Sequence, residues 1–439
     1  MSRALSTEIY NFGFSGNGIM ELNVAQYLTL LDASMIIVDC SWNMDHTAIT
    51  ARAVPLVKFL RANGHAATPI VLAEGTPSGV DWASTDPNTT QQGANAIALA
   101  QAYHELIAAG DKHLYYVTAA QLFSDALGMP AVNPDTVDPT VGGVHLSDLG
   151  MRKQAAFWST AIPKFMAESR RTGSAAAPAA DASTAPMTAE ELEKVEAESE
   201  AIVARAAQDD KLITSMAATQ PAGATSSGAQ MSAPIDGGSF VRGRPFPDAK
   251  RNNTFDRFPL SYAPTCPCHG GMPCGCGLRN DVWALSEMST GEYLRFTTDA
   301  EEVAVSWVLR PACAEKWFAG CHLWHMPDSG TNAFDVYAYD ERSKAWRHLA
   351  NQLLHYAEHG TASIVRPTSA LPGKQVTYLV YLPLRNAPQN MTLSLSPPSA
   401  TICGGMADCG VADSAPKLAM PPILWCKTGV LLSLCVRAC

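Results

Sequence analysis

The sequence predicts two different folds in one chain. The first is an α/β fold, an incomplete doubly wound parallel sheet of the flavodoxin-like kind, over residues 1–168. The second is an all-β sandwich, jelly-roll-like, over residues 240–397. Three observations lead there. Short apolar runs alternate with helical stretches through residues 8–168, the signature of a parallel sheet covered on both faces. Residues 169–239 then turn to Ala, Ser, Thr, Pro and Gly, a composition with too little apolar surface to form a core. Beyond them, apolar and polar residues alternate between turn signals, as in antiparallel strands.

Taken in order, Ile9–Gly13 reads as a strand and Met20–Leu31 as a helix, with apolar residues at Met20, Val24, Tyr27, Leu28 and Leu31. Met35–Val38 is a short apolar run ending at Asp39, as in a strand buried on both faces. Thr47–Asn63 follows as a helix carrying Pro55, a kink signal. Pro69–Ala73 is the next strand, Ala94–Ala109 a helix closed by Gly110, Leu114–Thr118 a strand and Leu146–Glu168 a helix. Within the 169–239 linker, Thr188 and Glu191 resemble a capping box, and residues 188–216 read as a solvated helix. In the second fold, Tyr293–Thr297, Val303–Leu309, Phe334–Tyr339 and Val376–Leu382 alternate as strands. Residues 398–439 form an irregular tail rich in Cys, Pro and Gly.

Composition narrows the function. The net charge is −10 and no basic stripe is present, which argues against nucleic-acid binding. No signal peptide is visible, and the most apolar stretch, Pro421–Val436, is short and broken by Lys427, so no membrane span is expected. The compartment is left open.

Three loops carry residues suited to chemistry. Gly13-Phe14-Ser15-Gly16-Asn17 approaches the nucleophile elbow G-x-S-x-G but has Asn17 in the fifth place. The better reading is that Gly16 offers a backbone N–H to a developing oxyanion, because glycine permits close approach; a plain tight turn is the alternative. Asn43 follows the second strand, where a side-chain amide can be a second oxyanion donor or simply a turn residue. His145, in Gly143-Val144-His145-Leu146-Ser147-Asp148, enters the last helix and is placed as a general base, with Ser147 or Asp148 as the cap.

These residues resemble the SGNH hydrolases, also called GDSL-like lipases/acylhydrolases, over residues 8–168. Asn11-Phe12-Gly13-Phe14-Ser15-Gly16-Asn17-Gly18 resembles the family's second block, Asn43 its third and His145 its last. The resemblance implies oxyanion donors at Gly16 and Asn43 and a general base at His145. Gly142 stands where the family has an aspartate, with Asp138 out of register. The first block, which carries the nucleophilic serine, does not precede residue 8. Residues 240–397 resemble the β-sandwich that precedes the catalytic domain in one subfamily, here in reversed order. In the tail, Pro421-Pro422-Ile423-Leu424-Trp425 resembles the strand leading into the first block, but Cys426-Lys427-Thr428-Gly429 follows, without a serine in register; Ser433 comes four residues too late. Hence the tail resembles the start of a second unit, as in a tandem array, with a circular permutant as the alternative. The first strand's place is then empty or filled by a substitute, residues 421–425 being the candidate, and complementation by another unit is a further expectation.

The cysteines at Cys266, Cys268, Cys274 and Cys276 form C-x-C-H…C-x-C. This could hold a structural metal, staple a loop through disulfides or leave free thiols; the C-x-C spacing is tighter than the usual zinc spacing. His322 and His325 beside Trp324 and Met326 read as packing, and His355 and His359 share a helical spacing without a third ligand. No cofactor is expected. By resemblance the chain is an acyl-ester hydrolase acting on a small acyl ester or acylated carbohydrate, impaired by its missing serine and aspartate; the alternative is a non-catalytic binding or scaffold module.

Overall fold

The computed structural model describes residues 1–76, 90–123, 140–141, 145–174, 231–234, 240–246, 250–264, 277–309, 333–352, 359–367, 374–404 and 421–427, with single positions 84, 86, 88 and 370. The chain divides into two compact units: Met1–Thr219 with Met420–Cys439, and Gln220–Ala419.

The first unit is an α/β structure. Its strands are β1 (Ile9–Asn11), β2 (Met35–Asp39), β3 (Ile70–Ala73), β4 (Leu114–Val117) and, from the far end of the chain, β17 (Ile423–Lys427). They form a sheet in the order β1-β17-β2-β3-β4, and every pairing in it is parallel. The principal helices are α2 (Leu22–Leu28), α3 (His46–Ala62), α4 (Gln91–Ala108) and α6 (Asp148–Ser174). A short α1 (Ser2–Leu5) precedes β1, and a short α5 (Ala119–Phe123) follows β4. Pro55 lies inside α3. The helix read over residues 188–216 lies outside the described residues.

Strand β17 occupies the place the sequence leaves open. Ile9 pairs with Ile423 and Asn11 with Trp425 on one side; Met35 pairs with Ile423 and Asp39 with Lys427 on the other. The substitute is residues 423–427 of the same chain, overlapping the expected segment 421–425, so this position is not open to another unit. Within the tail, Ile423–Lys427 is therefore a central strand and not irregular. A strand buried on both faces shows no alternation, only a short apolar run, which hides it among Cys, Pro and Gly.

Period-two alternation sorts side chains to the two faces. Met35, Ile37, Val71, Val117, Ile423 and Trp425 share one buried cluster with Trp158 and Ile162 of α6. Trp425 meets Trp158 edge to face with ring centroids 5.2 Å apart. Val38 and Cys426 line the opposite side with Leu28 of α2 and Leu56 and Leu60 of α3. At the N-terminal edge of the sheet, Arg61 grips Asp111 through two bonds of 2.8 and 3.1 Å and also donates to the carbonyls of His65, Thr68 and His113.

The second unit is antiparallel β structure. One sheet runs β13-β10-β15-β7 and the other β12-β11-β14-β9-β16, with β8 paired to β9. The strands are β7 (Met231–Pro234), β8 (Val241–Arg242), β9 (Tyr293–Thr298), β10 (Glu302–Leu309), β11 (Phe334–Asp340), β12 (Ala345–Gln352), β13 (His359–Val365), β14 (Val376–Tyr381), β15 (Pro388–Ser396) and β16 (Ile402–Cys403). Their inward residues, among them Phe296, Val305, Trp307, Phe334, Tyr378 and Leu393, build one core. Met231–Pro234, read as linker, is an edge strand on β15; Pro there lacks a ladder donor, which an edge tolerates. A short α7 (Asn280–Ser286) precedes β9. His359 opens a strand, so its helical spacing to His355 does not apply. Cys266, Cys268, Cys274, Cys276, His322, His325 and His355 lie outside the described residues.

Candidate active site

The C-terminal edge of a parallel sheet is where loops converge on a ligand. Two of the three predicted loops are joined there. After β1, Asn11 is buried and its Oδ1 accepts the N–H of Gly13 at 2.8 Å. This Asx turn bends the chain out of the strand. The carbonyl of Phe14 then accepts the N–H groups of Asn17 and Gly18 at 2.8 and 2.9 Å. The tip of that turn is Gly16, exposed, with φ of +69°. Nothing lies within 4 Å of the position a Cβ would take there. The requirement for glycine is therefore conformational and not steric. Gly16 itself is exposed, and its N–H donates to no described residue. Ser15 is engaged through its carbonyl, which accepts Asn17 Nδ2 at 3.1 Å.

After β2, Cys40 leads into a single 3₁₀ turn, Ser41–Asn43. Asp45 ends the loop by capping α3, its Oδ1 accepting the N–H of Ala48 at 2.7 Å. Asn43 is half-buried, and its Nδ2 donates to the Gly18 carbonyl at 3.3 Å. Arg52 of α3 donates to the neighbouring Ile19 carbonyl at 2.9 Å. The Gly16 turn and the Asn43 turn are thus fastened to each other.

His145 is half-buried and stands in a separate two-stranded ladder, opposite Val141, made by β5 (Thr140–Val141) and β6 (His145–Leu146). Its neighbour Leu146 is buried in the same core as Ile9 and Trp425. Ser147 caps the following helix, its Oγ accepting the Gly150 N–H at 3.3 Å. Asp138, Gly142 and Gly429 lie outside the described residues.

Beneath the Gly16 turn is a small apolar cavity of about 30 Å³, bordered by Phe14, Gly18, Met20, Leu60, Cys40 and Cys426. Cys40 Sγ lies 3.5 Å from the Cys426 carbonyl and donates to it. Burial pushes the Cys40 thiol well up and the Cys426 thiol up to about 12. Both are protonated at neutral pH and are poor nucleophiles. Among the described residues, no group of three or more His, Cys, Asp or Glu is arranged to hold a metal ion. No described helix is long and apolar enough to cross a membrane.

Sequence reasoning missed Asn95 and Arg52, whose side chains reach these loops from helices. Asn95 alone left a trace: asparagine is unfavourable inside a helix. Asn11 was legible, two residues before Gly13.

Residues 1–163 match the family described as GDSL-like lipase/acylhydrolase. Residues 274–401 match the N-terminus of SGNH-hydrolase-type esterases. Among solved structures, a GDSL-like lipase from Bacteroides ovatus ATCC 8483 is 16% identical over 39% of this chain and 42% of its own, with a TM-score of 0.30. A salicylyl-acyltransferase from a tetracycline biosynthetic pathway is 15% identical over 28% of this chain and 30% of its own, with a TM-score of 0.19. This chain spans less than half the length of either structure. No curated protein matches it.

Proposed function

The chain belongs to the SGNH hydrolase family, and from that premise we propose that it is an acyl-ester hydrolase acting on a small acyl ester or an acylated carbohydrate. In this reading the ester carbonyl sits at the Gly16 turn. The Gly16 N–H and Asn43 Nδ2 donate to the oxygen that becomes negative as the tetrahedral intermediate forms. His145 takes the proton of the attacking oxygen and returns it to the leaving alcohol. The observation that carries the reading is the unengaged N–H at the tip of the Gly16 turn, fastened through Gly18 to the amide of Asn43.

Catalysis in this reading is impaired. Gly429 is in the register of the nucleophilic serine and Gly142 in that of the aspartate that would orient the imidazole. Those two positions favour a second reading, a non-catalytic module that binds acylated ligands on the same turns. In domain terms we assign Met1–Thr219 with Met420–Cys439 to the hydrolase-like part and Gln220–Ala419 to the accessory sandwich.

Hydrolysis of p-nitrophenyl acetate by the full chain decides between the two. The hydrolase reading expects turnover above buffer that falls by about 10²–10³ in Asn43→Ala, the usual cost of one oxyanion donor, and that falls also in His145→Ala. Turnover at the buffer rate, or turnover unaffected by both substitutions, leaves the binding module.

A further inference from the structure

The Ser41–Met44 turn is gripped from outside. Asn95, on α4, is 1% exposed. Its Nδ2 donates to the Ser41 carbonyl at 2.9 Å and to the Met44 carbonyl at 2.8 Å. Those carbonyls stand at the two ends of the turn, with Asn43 between them. Both partners are acceptors only, so the amide has one permitted orientation; flipped, its Oδ1 would face two carbonyl oxygens. Asn95 Oδ1 accepts from no described residue. The side chain is held by the two bonds it gives the turn.

The exit from β3 also packs on the turn, beside Gln92 of α4. A Cβ on Gly75 would lie 2.7 Å from Trp42 Cδ1 and 2.9 Å from Ser41 Oγ. Trp42 Nε1 donates to the Thr76 carbonyl at 2.7 Å. Ser41, Trp42 and Met44 are therefore each anchored away from the loop mouth, while the Asn43 side chain reaches toward Gly18.

We propose that Asn95 is a positioning residue for the acyl-transfer site: by bracing both ends of the Ser41–Met44 turn it fixes the direction of the Asn43 amide. The proposal rests on the oxyanion role given to Asn43 above. An amide that must meet an oxyanion cannot lose a few tenths of an ångström of placement without losing rate. Asn95 acts through Asn43 and touches no substrate.

The test uses the full chain with Asn95→Asp, which keeps the shape and loses both donors, and Gly75→Ala, which presses directly on Ser41 and Trp42 of the turn. Two measurements are made: the position of the Asn43 side-chain amide resonance in ¹⁵N spectra, and kcat and KM on p-nitrophenyl acetate. Asn95→Asp is expected to shift that resonance and to lower kcat about tenfold or more with KM unchanged. In the Asn43→Ala background it is expected to cost nothing further, because the group it directs is gone. Gly75→Ala follows the same pattern, and serves if Asn95→Asp does not fold. An unshifted resonance overturns the proposal, as does a loss of kcat that multiplies with that of Asn43→Ala. If the wild-type chain does not hydrolyse the ester, the hydrolase reading fails, and the resonance alone decides whether Asn95 directs Asn43.

Discussion

The backbone N–H of Phe12 donates to the carbonyl of Trp425 at 2.8 Å. A residue at the threshold of the Gly16 turn is thereby held by β17, the last strand in chain order among the described residues. The same strand is tied on its other flank, where Ser34 donates its N–H to Pro422 at 3.0 Å and its hydroxyl to Pro421 at 2.6 Å. The Gly16 turn and the Asn43 turn rise from strands that touch only through β17.

Trp425→Ala should therefore loosen both loops at once. Trp425 is fully buried against Trp158, and truncating such a side chain costs about 3–5 kcal/mol. Urea denaturation of the full chain should show an early transition in the α/β unit while the β unit keeps its midpoint. Equal shifts in both units would contradict the division.

Gly16→Ala should destabilise by about 1–2 kcal/mol, the cost of placing an L side chain in the left-handed region. Gly16→Asn should cost less, because asparagine tolerates that region. The space around the position is open, so size should not matter. Thermal unfolding of both variants checks the order; a larger loss for Asn would mean that a steric contact, not φ, governs the site.

Acid should weaken the α/β unit through His65. The ring is 3% exposed; Nε2 donates to the Leu28 carbonyl at 3.1 Å and Nδ1 accepts from Thr68 Oγ1 at 3.2 Å. Burial, helped by the charge of Arg61, pushes its pKa below the ordinary 6.5, against the pull of the Leu28 carbonyl. His113 is lowered too, again chiefly by burial. Above pH 6.5 these rings are neutral folded or unfolded, and their contribution is fully present. As pH falls, the unfolded chain takes the protons first, and stability declines until the folded rings are protonated as well. Urea midpoints from pH 7.5 downward should fall, and His65→Gln should flatten that fall. An unchanged slope in His65→Gln would assign the effect elsewhere.

Glu292→Gln should destabilise the β unit by about 3–5 kcal/mol, the cost of leaving buried charge without its partner. The Glu292 side chain is 0% exposed and its Oε1 accepts from Arg244 Nε at 3.2 Å. Burial raises its carboxyl against the pull of Arg244, Arg251 and Arg257. Arg257 itself is lowered to about 10 by burial. Chemical denaturation followed on the β unit measures the loss; a change below 1 kcal/mol would mean that the arginines find other acceptors.

The readable part of this molecule is its local part. Met35–Val38 and Ile70–Ala73 declare themselves as apolar runs, and Gly16 as the tip of a glycine turn. The partnership of Ile423–Lys427 with β1 and β2 left only a weak mark, a Pro-Pro followed by three apolar residues, because strand order is a property of the folded sheet and not of any window. Met231–Pro234 left none: its composition is that of the linker, and only β15 makes it a strand. Asn95 left only a faint trace for a related reason. A polar residue on a helix says that something faces it, but not that the something is the turn bearing Asn43.

The place of β17 also has a consequence for how the chain is made. Translation delivers β1 and β2 early, with the edges meant for β17 facing nothing. All of Gln220–Ala419 must follow before Ile423 leaves the ribosome. At about 5–20 residues per second that is an interval of roughly ten seconds or more. Throughout it the nascent α/β part carries two unpaired parallel edges, the kind that seek strands in other chains. The site is thus completed only after Gln220–Ala419 has been made, and its assembly waits on a neighbour that takes no part in its chemistry.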